Sequence, residues 1–443
     1  MKIPPVSIIS IFSLATTLVL TTLPAYAHKY TQQAKLIADD GAANDFFGYS
    51  VALSENTALV GAYRADDNTR GNDVGAAYVF TRSKNTWIQQ AKLTAADGAA
   101  DDTFGGKVAL SGNTAVVGVI RDDDEVKGEN SGSAYVFTRT GNRWSQQAKL
   151  TASDAAEGDS FGWSIAISGD TLVLGAPYDD DKGKNSGSVY IFSRTGTSWT
   201  QQAKLTANDG SPGDLFGISA AISGNTILVG ADLNEEKGFN AGAAYVFTRT
   251  GNTWSQQAKL TATDGAEGDI FGVRVALDGN TALISARRDD DEVMGVDAGS
   301  AYIFTRTGTT WSQQAKLTAP DGTADDRFGR SVALAGDTAL IGAMFQDNRG
   351  ENSGSAYVYK RSGNSWQFKS QLSAADGAKG DVFGWNVALW GHTAVISANR
   401  DDDKGENSGS AYIFDIKGRV IRTLITEALE ARKRLKPQDN KLY

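Results

Sequence analysis

Hydrophobic and polar residues alternate in short runs along most of the chain. In GGKVALS (105–111), Val108 and Leu110 alternate with Lys107 and Ala109; TAVVGV (114–119), GSAYVFTR (132–139) and RWSQQAKLT (143–151) follow. Each run is rich in β-branched or aromatic residues and is bounded by turn residues, which predicts four short strands and no helix. Gly112-Asn113, Gly169-Asp170, Gly224-Asn225, Gly279-Asn280 and Gly336-Asp337 separate the first two runs of their units. Glycine in first place suits a two-residue hairpin. The RTGN segments predict a second hairpin between the third and fourth runs. In the fourth, strict alternation places Trp144, Gln146, Ala148 and Leu150 on one face.

This four-run unit recurs. Phe-Gly pairs begin at Phe47, Phe104, Phe161, Phe216, Phe271, Phe328 and Phe383, 55 or 57 residues apart. Length alone suggests several domains, but a fixed period in this range signals a propeller or solenoid. Antiparallel four-stranded units match propeller blades. The first fourth-strand copy, KYTQQAKLIA (29–38), precedes any Phe-Gly, and the last unit ends at SAYIFDI without one. The N-terminal strand is therefore expected to complete the last blade, leaving no open edge. The fold class expected is all-β, a seven-bladed propeller over residues 28–416.

The units resemble FG-GAP repeats, which build the seven-bladed propeller of integrin alpha subunits and many bacterial surface proteins. Phe-Gly is present seven times, and Gly175-Ala176-Pro177 is a literal second half of the motif. Its other counterparts are Gly61-Ala62-Tyr63, Gly118-Val119-Ile120, Gly230-Ala231-Asp232, Ser285-Ala286-Arg287, Gly342-Ala343-Met344 and Ser397-Ala398-Asn399. The resemblance covers about residues 29–416 and implies fold rather than function. Integrin-type repeats hold calcium in an aspartate-patterned loop between the first two strands. Tight Gly-Asn turns stand there in this chain, so that site is not carried over.

Composition narrows the chemistry. Among 443 residues there is no cysteine, and His28 and His392 are the two histidines. Disulfides, zinc-thiolate sites and histidine acid-base catalysis thus have little or no material. A net charge of −9 argues against nucleic acid as a partner. At the N-terminus, Lys2, the apolar VSIISIFSLATTLVL and Ala25-Tyr26-Ala27 read as a signal peptide over residues 1–27, cleaved before His28. No later stretch is long and apolar enough to span a bilayer. The protein is expected to be exported, whether secreted, periplasmic or on the cell surface. Residues 417–443 are basic and space Ile421, Leu424, Ile425 and Ala428 at helical intervals, which predicts a short amphipathic helix or tail.

Charge is distributed unevenly. In a propeller the loops between strands two and three share a face with the connectors between blades, and these segments hold most of the 52 acidic residues. The opposite hairpins carry Arg82, Arg139, Arg194, Arg249, Arg306 and Arg361. On the acidic face stand RDDDEVKGENSGSAYVF (121–137), YDDDKGKNSGSVYIF (178–192) and RDDDKGENSGSAYIF (400–414). Hard carboxylate oxygens in clusters suit calcium, with Asp122, Asp124, Asp179, Asp181, Asp289, Asp291, Asp401 and Asp403 as candidate ligands. Two other readings compete: turn formation, since Asp, Asn and Ser bond their own backbone, and docking of a cationic partner. Trp87, Trp144, Trp199, Trp254, Trp311 and Trp366 open the fourth strands. They suit blade packing, or a sugar platform in a lectin. The function expected is a non-enzymatic binding or adhesion module that takes a protein or polysaccharide at its acidic face. A lectin is the alternative. An enzyme comes third, because the blades are near-identical and His392 reads as a turn residue.

Overall fold

The computed structural model describes residues 28–84, 86–123 and 126–420. Tyr30–Gly418 form one compact unit. Seven four-stranded antiparallel sheets make it up. The second is typical: Lys107–Ser111, Thr114–Val119, Ser133–Thr140 and Arg143–Leu150, paired in sequence order. Its first hairpin runs in register from Lys107 opposite Gly118 to Ser111 opposite Thr114, leaving Gly112 and Asn113 as the turn. The first strands of successive sheets touch one another in a closed ring, so they line the axis. The second strands are buried along their whole length in the first six blades, and from Ala394 onward in the last, as expected of a strand covered on both faces.

Each blade packs on the preceding one through its Phe-Gly. Phe104 is fully buried between Leu59, Ala77 and Val79 of the first blade and Tyr135 and Phe137 of its own. Its ring meets Tyr135 at 5.7 Å and Phe137 edge-on at 6.0 Å. The glycine permits the approach: Gly105 has φ +95°, and a Cβ there would lie 2.3 Å from the Ala76 carbonyl oxygen of the preceding blade. No side chain fits at that distance.

The ring closes as expected. The strand His28–Leu36 completes the last sheet beside Ser410–Val420, followed by Thr393–Ala398 and Val387–Trp390. A second seam lies beside it, where Asn44, Phe46 and Phe47 donate backbone hydrogen bonds to Glu406, Asn407 and Ser408. Residues 417–420 continue the last strand rather than starting a helix. The expected signal peptide (1–27) and the C-terminal segment from Ile421 lie outside the described residues.

Strict alternation fails in the fourth strands. In blade two, Phe137 faces Gln146 but Val136 faces Ala148, so Gln147 is an extra, bulged residue. The same irregularity recurs in the other blades with a complete third-to-fourth register. Trp144 and Leu150 are buried and Gln146 is exposed. A bulge re-aims side chains, and here it turns the second glutamine toward the next blade.

Candidate functional site

The acidic face forms from the loops that follow each second strand and the connectors that precede each Phe-Gly. They zip together: Ser160 and Phe161 of one connector donate to Asn130 and Ser131 of the preceding blade's loop. Each loop contains one Asn or Asp with φ between 52° and 57°: Asp73, Asn130, Asn185, Asn240, Asp297, Asn352 and Asn407. These residue types tolerate that conformation best after glycine.

The aspartate triplets divide their work. The first member is buried: Asp122, Asp179, Asp289 and Asp401 are 3 to 4% exposed. Asp179 accepts hydrogen bonds from Ser188 Oγ and Tyr190 Oη, both at 2.8 Å. Asp289 and Asp401 accept from Ser300 and Tyr302 and from Ser410 and Tyr412. The second member closes the loop, as Asp123, Asp180, Asp290 and Asp402 accept the backbone N–H of Asn130, Asn185, Asp297 and Asn407. The third member varies. Asp291 caps a turn by accepting from the N–H groups of Val293 and Met294, which hold its carboxyl below the usual range. Asp181 and Asp403 stay exposed, and each reaches a fourth-strand lysine. Asp124 lies outside the described residues.

Among the described residues, two carboxylate clusters are tight enough for a cation: Asp154 with Asp179 and Asp181, and Asp376 with Asp401 and Asp403, their oxygens within 4.8 Å of one another. A lysine of the fourth strand stands in each. Lys204 Nζ lies 2.8 Å from Asp154, 2.9 Å from Asp179 and 2.6 Å from Asp181. Lys35 Nζ lies 2.8, 3.1 and 2.5 Å from Asp376, Asp401 and Asp403. Burial pushes the Lys204 ammonium down, but the three hydrogen bonds outweigh it and hold it above its ordinary value. Lys149 likewise joins Asp97 to Asp122, and Lys316 joins Asp264 to Asp289. The donor type fits a divalent ion, but the arrangement does not: the point where the carboxylates converge is already held by an ammonium group.

Blade six tests this pairing internally. Gln346 replaces the buried aspartate and Gln371 replaces the lysine, so both charges vanish together. Ser355 Oγ donates to Gln346 Oε1 at 2.9 Å, and Gln371 Nε2 donates to Ser355 and Tyr357. The neutral pair keeps the network, with the Asp321 carboxylate still accepting from the Tyr357 hydroxyl. In blades one and four the aspartate alone is replaced, by Ala65 and Asn234, and the retained Lys92 and Lys259 pair with Asp40 and with Asp209 and Glu236.

The tryptophans and the arginine ring also join blades. Nε1 of Trp144, Trp199, Trp311 and Trp366 donates to the bulged Gln90, Gln147, Gln257 and Gln314 of the preceding blade at 2.9 to 3.0 Å. Arg139 stacks on Trp144, bonds the Asn113 side chain of its own turn and reaches Thr57 of the preceding blade. Arg194 and Arg361 repeat this with Asp170 and Thr114, and with Asp337 and Thr281. His392 is exposed in its turn, where its carbonyl accepts from the Ile416 N–H.

Large apolar side chains are exposed at several places: Ile88, Phe368 and Trp390 away from the acidic loops, and Val126 at the tip of the blade-two loop, 92% exposed. Phe239 in blade four is 60% exposed, and Val293 and Val296 in blade five are 93% and 61% exposed. Beside Val293 is a recess of about 440 Å³ lined by Asp264, Glu267, Asp290, Asp291 and Glu292, with Lys316 also in its wall.

The architecture defines a closed seven-bladed β-propeller. The FG-GAP repeat family model matches seven times, over residues 30–80, 87–137, 144–192, 199–247, 254–304, 311–359 and 366–414, so the chain belongs to the FG-GAP repeat family. Curated proteins yield no significant match. Among solved structures, a chain of a crystal structure of a mitotic checkpoint complex is similar in fold, with a TM-score of 0.51 and 12% identity. That match covers 90% of this chain and 98% of the other. No helix among the described residues is long and apolar enough to cross a membrane. An FG-GAP propeller is consistent with a binding or adhesion module.

Proposed function

We propose that the protein is an exported, non-enzymatic binding module that takes a protein partner on the acidic loop face, at blades four and five. One observation carries this reading: Phe239, Val293 and Val296 project from neighbouring loops into solvent, among exposed Glu235, Glu236, Glu267, Asp290 and Glu292. Loops held on a rigid scaffold are where binding concentrates, and apolar side chains within a polar rim match interface anatomy. The acidic recess beside Val293 suits a lysine or arginine of the partner. Such a partner presents an apolar patch with basic neighbours. The apolar N-terminal stretch ending in Ala25-Tyr26-Ala27 supports export.

Calcium is not required in this reading. The lysines already neutralise the buried carboxylates, and a divalent ion would enter only by displacing an ammonium group with three short hydrogen bonds. Four of the six tryptophan N–H groups are engaged with glutamines, which favours blade packing over a sugar platform.

The test is affinity capture of secreted and surface proteins by the wild-type protein and by Phe239→Ser/Val293→Ser/Val296→Ser. A control variant alters the exposed turn residues Gly141 and Asn142 on the opposite face. Partners captured directly by wild type and control but lost from the triple variant would support the assignment. Retention by the triple variant would refute it.

A further inference from the structure

The blades are near-copies, so the few positions where they differ on the axis stand out. Two residues after each Phe-Gly the repeat places Ser50, Ser164, Ser219 and Ser331 in four blades. Each hydroxyl donates to the Phe-Gly glycine carbonyl of the next blade: Gly105, Gly217, Gly272 and Gly384, at 2.7 to 2.9 Å. Blades two and five give up this latch for Lys107 and Arg274, and blade six adds Arg330 one position earlier. Long cations thus replace a short hydroxyl beside the axis.

Lys107 and Arg274 line an axial cavity of about 180 Å³ together with Trp163, Ser219, Ser331 and Asn386. Trp163 Nε1 is buried without a hydrogen-bond partner. Lys107 Nζ lies over the rings of Tyr49 and Trp163, at 5.9 and 5.7 Å, and the Arg330 guanidinium lies 3.8 Å from the Trp385 ring centre. Arg274 donates to the carbonyl of Val273. The charged neighbours of Lys107 are Arg274 and Arg330. Burial, then these like charges, push its ammonium well below the ordinary value. Arg287 adds positive charge near Arg274 and Arg330, and Tyr49 also faces both. Asp232 is the carboxylate that faces Arg274, Arg287 and Arg288; burial pushes it up to about 6, and its Oδ1 has no hydrogen-bond partner. Like charges confined in a low-dielectric space repel strongly unless an anion joins them.

We propose that the axial cavity is an anion site, in which Lys107 and Arg274 hold a phosphate- or sulfate-sized oxyanion, free or as the terminal group of a larger molecule, with Arg330 adding positive charge from beside the cavity and Trp163 Nε1 donating to the anion. Arginine and lysine together suit such a group, the guanidinium as a planar fork and the ammonium as a point charge. The site is independent of the loop face.

The experiment is calorimetric titration and thermal unfolding of the full chain with sodium phosphate, sodium sulfate and glycerol phosphate, each against sodium chloride at matched ionic strength. The expected result is saturable binding of one oxyanion per chain and a rise in melting temperature beyond that in chloride. Lys107→Ser/Arg274→Ser installs the residue the repeat itself uses, so it is expected to fold, gain two latches and bind at least tenfold more weakly. Stronger binding of free phosphate assigns a free ion; stronger binding of glycerol phosphate assigns an esterified end group. No effect beyond chloride in the wild type overturns the proposal, whether or not the variant folds. Equal binding by wild type and variant overturns it too.

Discussion

Replacing Lys204 by methionine tests the lysine joints most sharply. The substitution keeps the length of the stem and removes the charge. Asp179 is left 4% exposed and keeps the Ser188 and Tyr190 hydroxyls and the Asp181 N–H as partners. Stripping one partner from a fully buried ion pair costs about 3–5 kcal/mol. The figure here is smaller, because the Asp154 and Asp181 side chains are 47% and 44% exposed and surface pairs contribute about 0–1 kcal/mol. We expect Lys204→Met to lose about 2–3 kcal/mol on that basis. The decisive variant is Lys204→Gln/Asp179→Gln, which installs the pair that blade six already uses. Denaturant unfolding of both single glutamine variants and the double variant closes a cycle. The double variant should recover at least about 1 kcal/mol relative to the sum of the singles. Strict additivity would refute the claim that the ammonium and the buried carboxylate act as one joint.

Removing the Lys204 ammonium leaves three carboxylates around one point, so Lys204→Met should acquire a calcium-specific rise in melting temperature; an unchanged response in calcium and in chelator would count against this. Deleting residues 28–38 removes the closing strand with Lys35 and its contacts to Asp376, Asp401 and Asp403; the whole ring should melt earlier in one transition, and an unchanged melting temperature would contradict closure. Acidification should stabilise the protein at first. Burial, only partly offset by one backbone N–H each, pushes Asp45, Asp102, Asp159, Asp269 and Asp381 from 3.8 up to about 6. Below about pH 6 the folded state therefore takes up protons that the unfolded state does not, and stability rises until the unfolded carboxyls protonate near pH 4. The lysine-paired Asp97, Asp154, Asp209, Asp264 and Asp376 are held below 3.8, so their contribution is lost only under more acidic conditions. A melting temperature higher at pH 8 than at pH 5.5 would show the sign to be wrong. Gly105→Ala should cost more than about 3 kcal/mol, because its Cβ would strike the Ala76 carbonyl at a positive φ; a near-neutral effect in urea unfolding would refute the close-approach argument.

The fold was legible because its information is local and repeated. Two-residue alternation, the Gly-Asn turns and the Phe-Gly period are each written seven times or nearly so, and the displaced strand at 29–38 gives the closure. The bulge at Gln147 was not legible, because an adjacent Gln pair looks the same with or without a skipped register. The joints were hidden for another reason. The lysine sits in a strand and its aspartates in two loops, so a reading confined to loops sees unpaired acid and thinks of calcium. The paired change to Gln346 and Gln371 links them in one blade, whereas Lys92 and Lys259 persist where Ala65 and Asn234 replace the aspartate. Of the candidate ligands, Asp179 with Asp181 and Asp401 with Asp403 do converge, each around a lysine. Asp122 and Asp289 each meet a lysine as well, and Asp291 caps a turn.

The central claim is that lysine, rather than calcium, neutralises the aspartate clusters, freeing the acidic loop face for a partner. Thermal unfolding in chelator, then in millimolar calcium, against magnesium at matched ionic strength tests it most directly. A site filled to a hundred times its dissociation constant adds about 2.7 kcal/mol, a shift of several degrees that is easily read. The account predicts identical melting in calcium, magnesium and chelator once ionic strength is matched. A calcium-specific rise in the wild-type protein would contradict it.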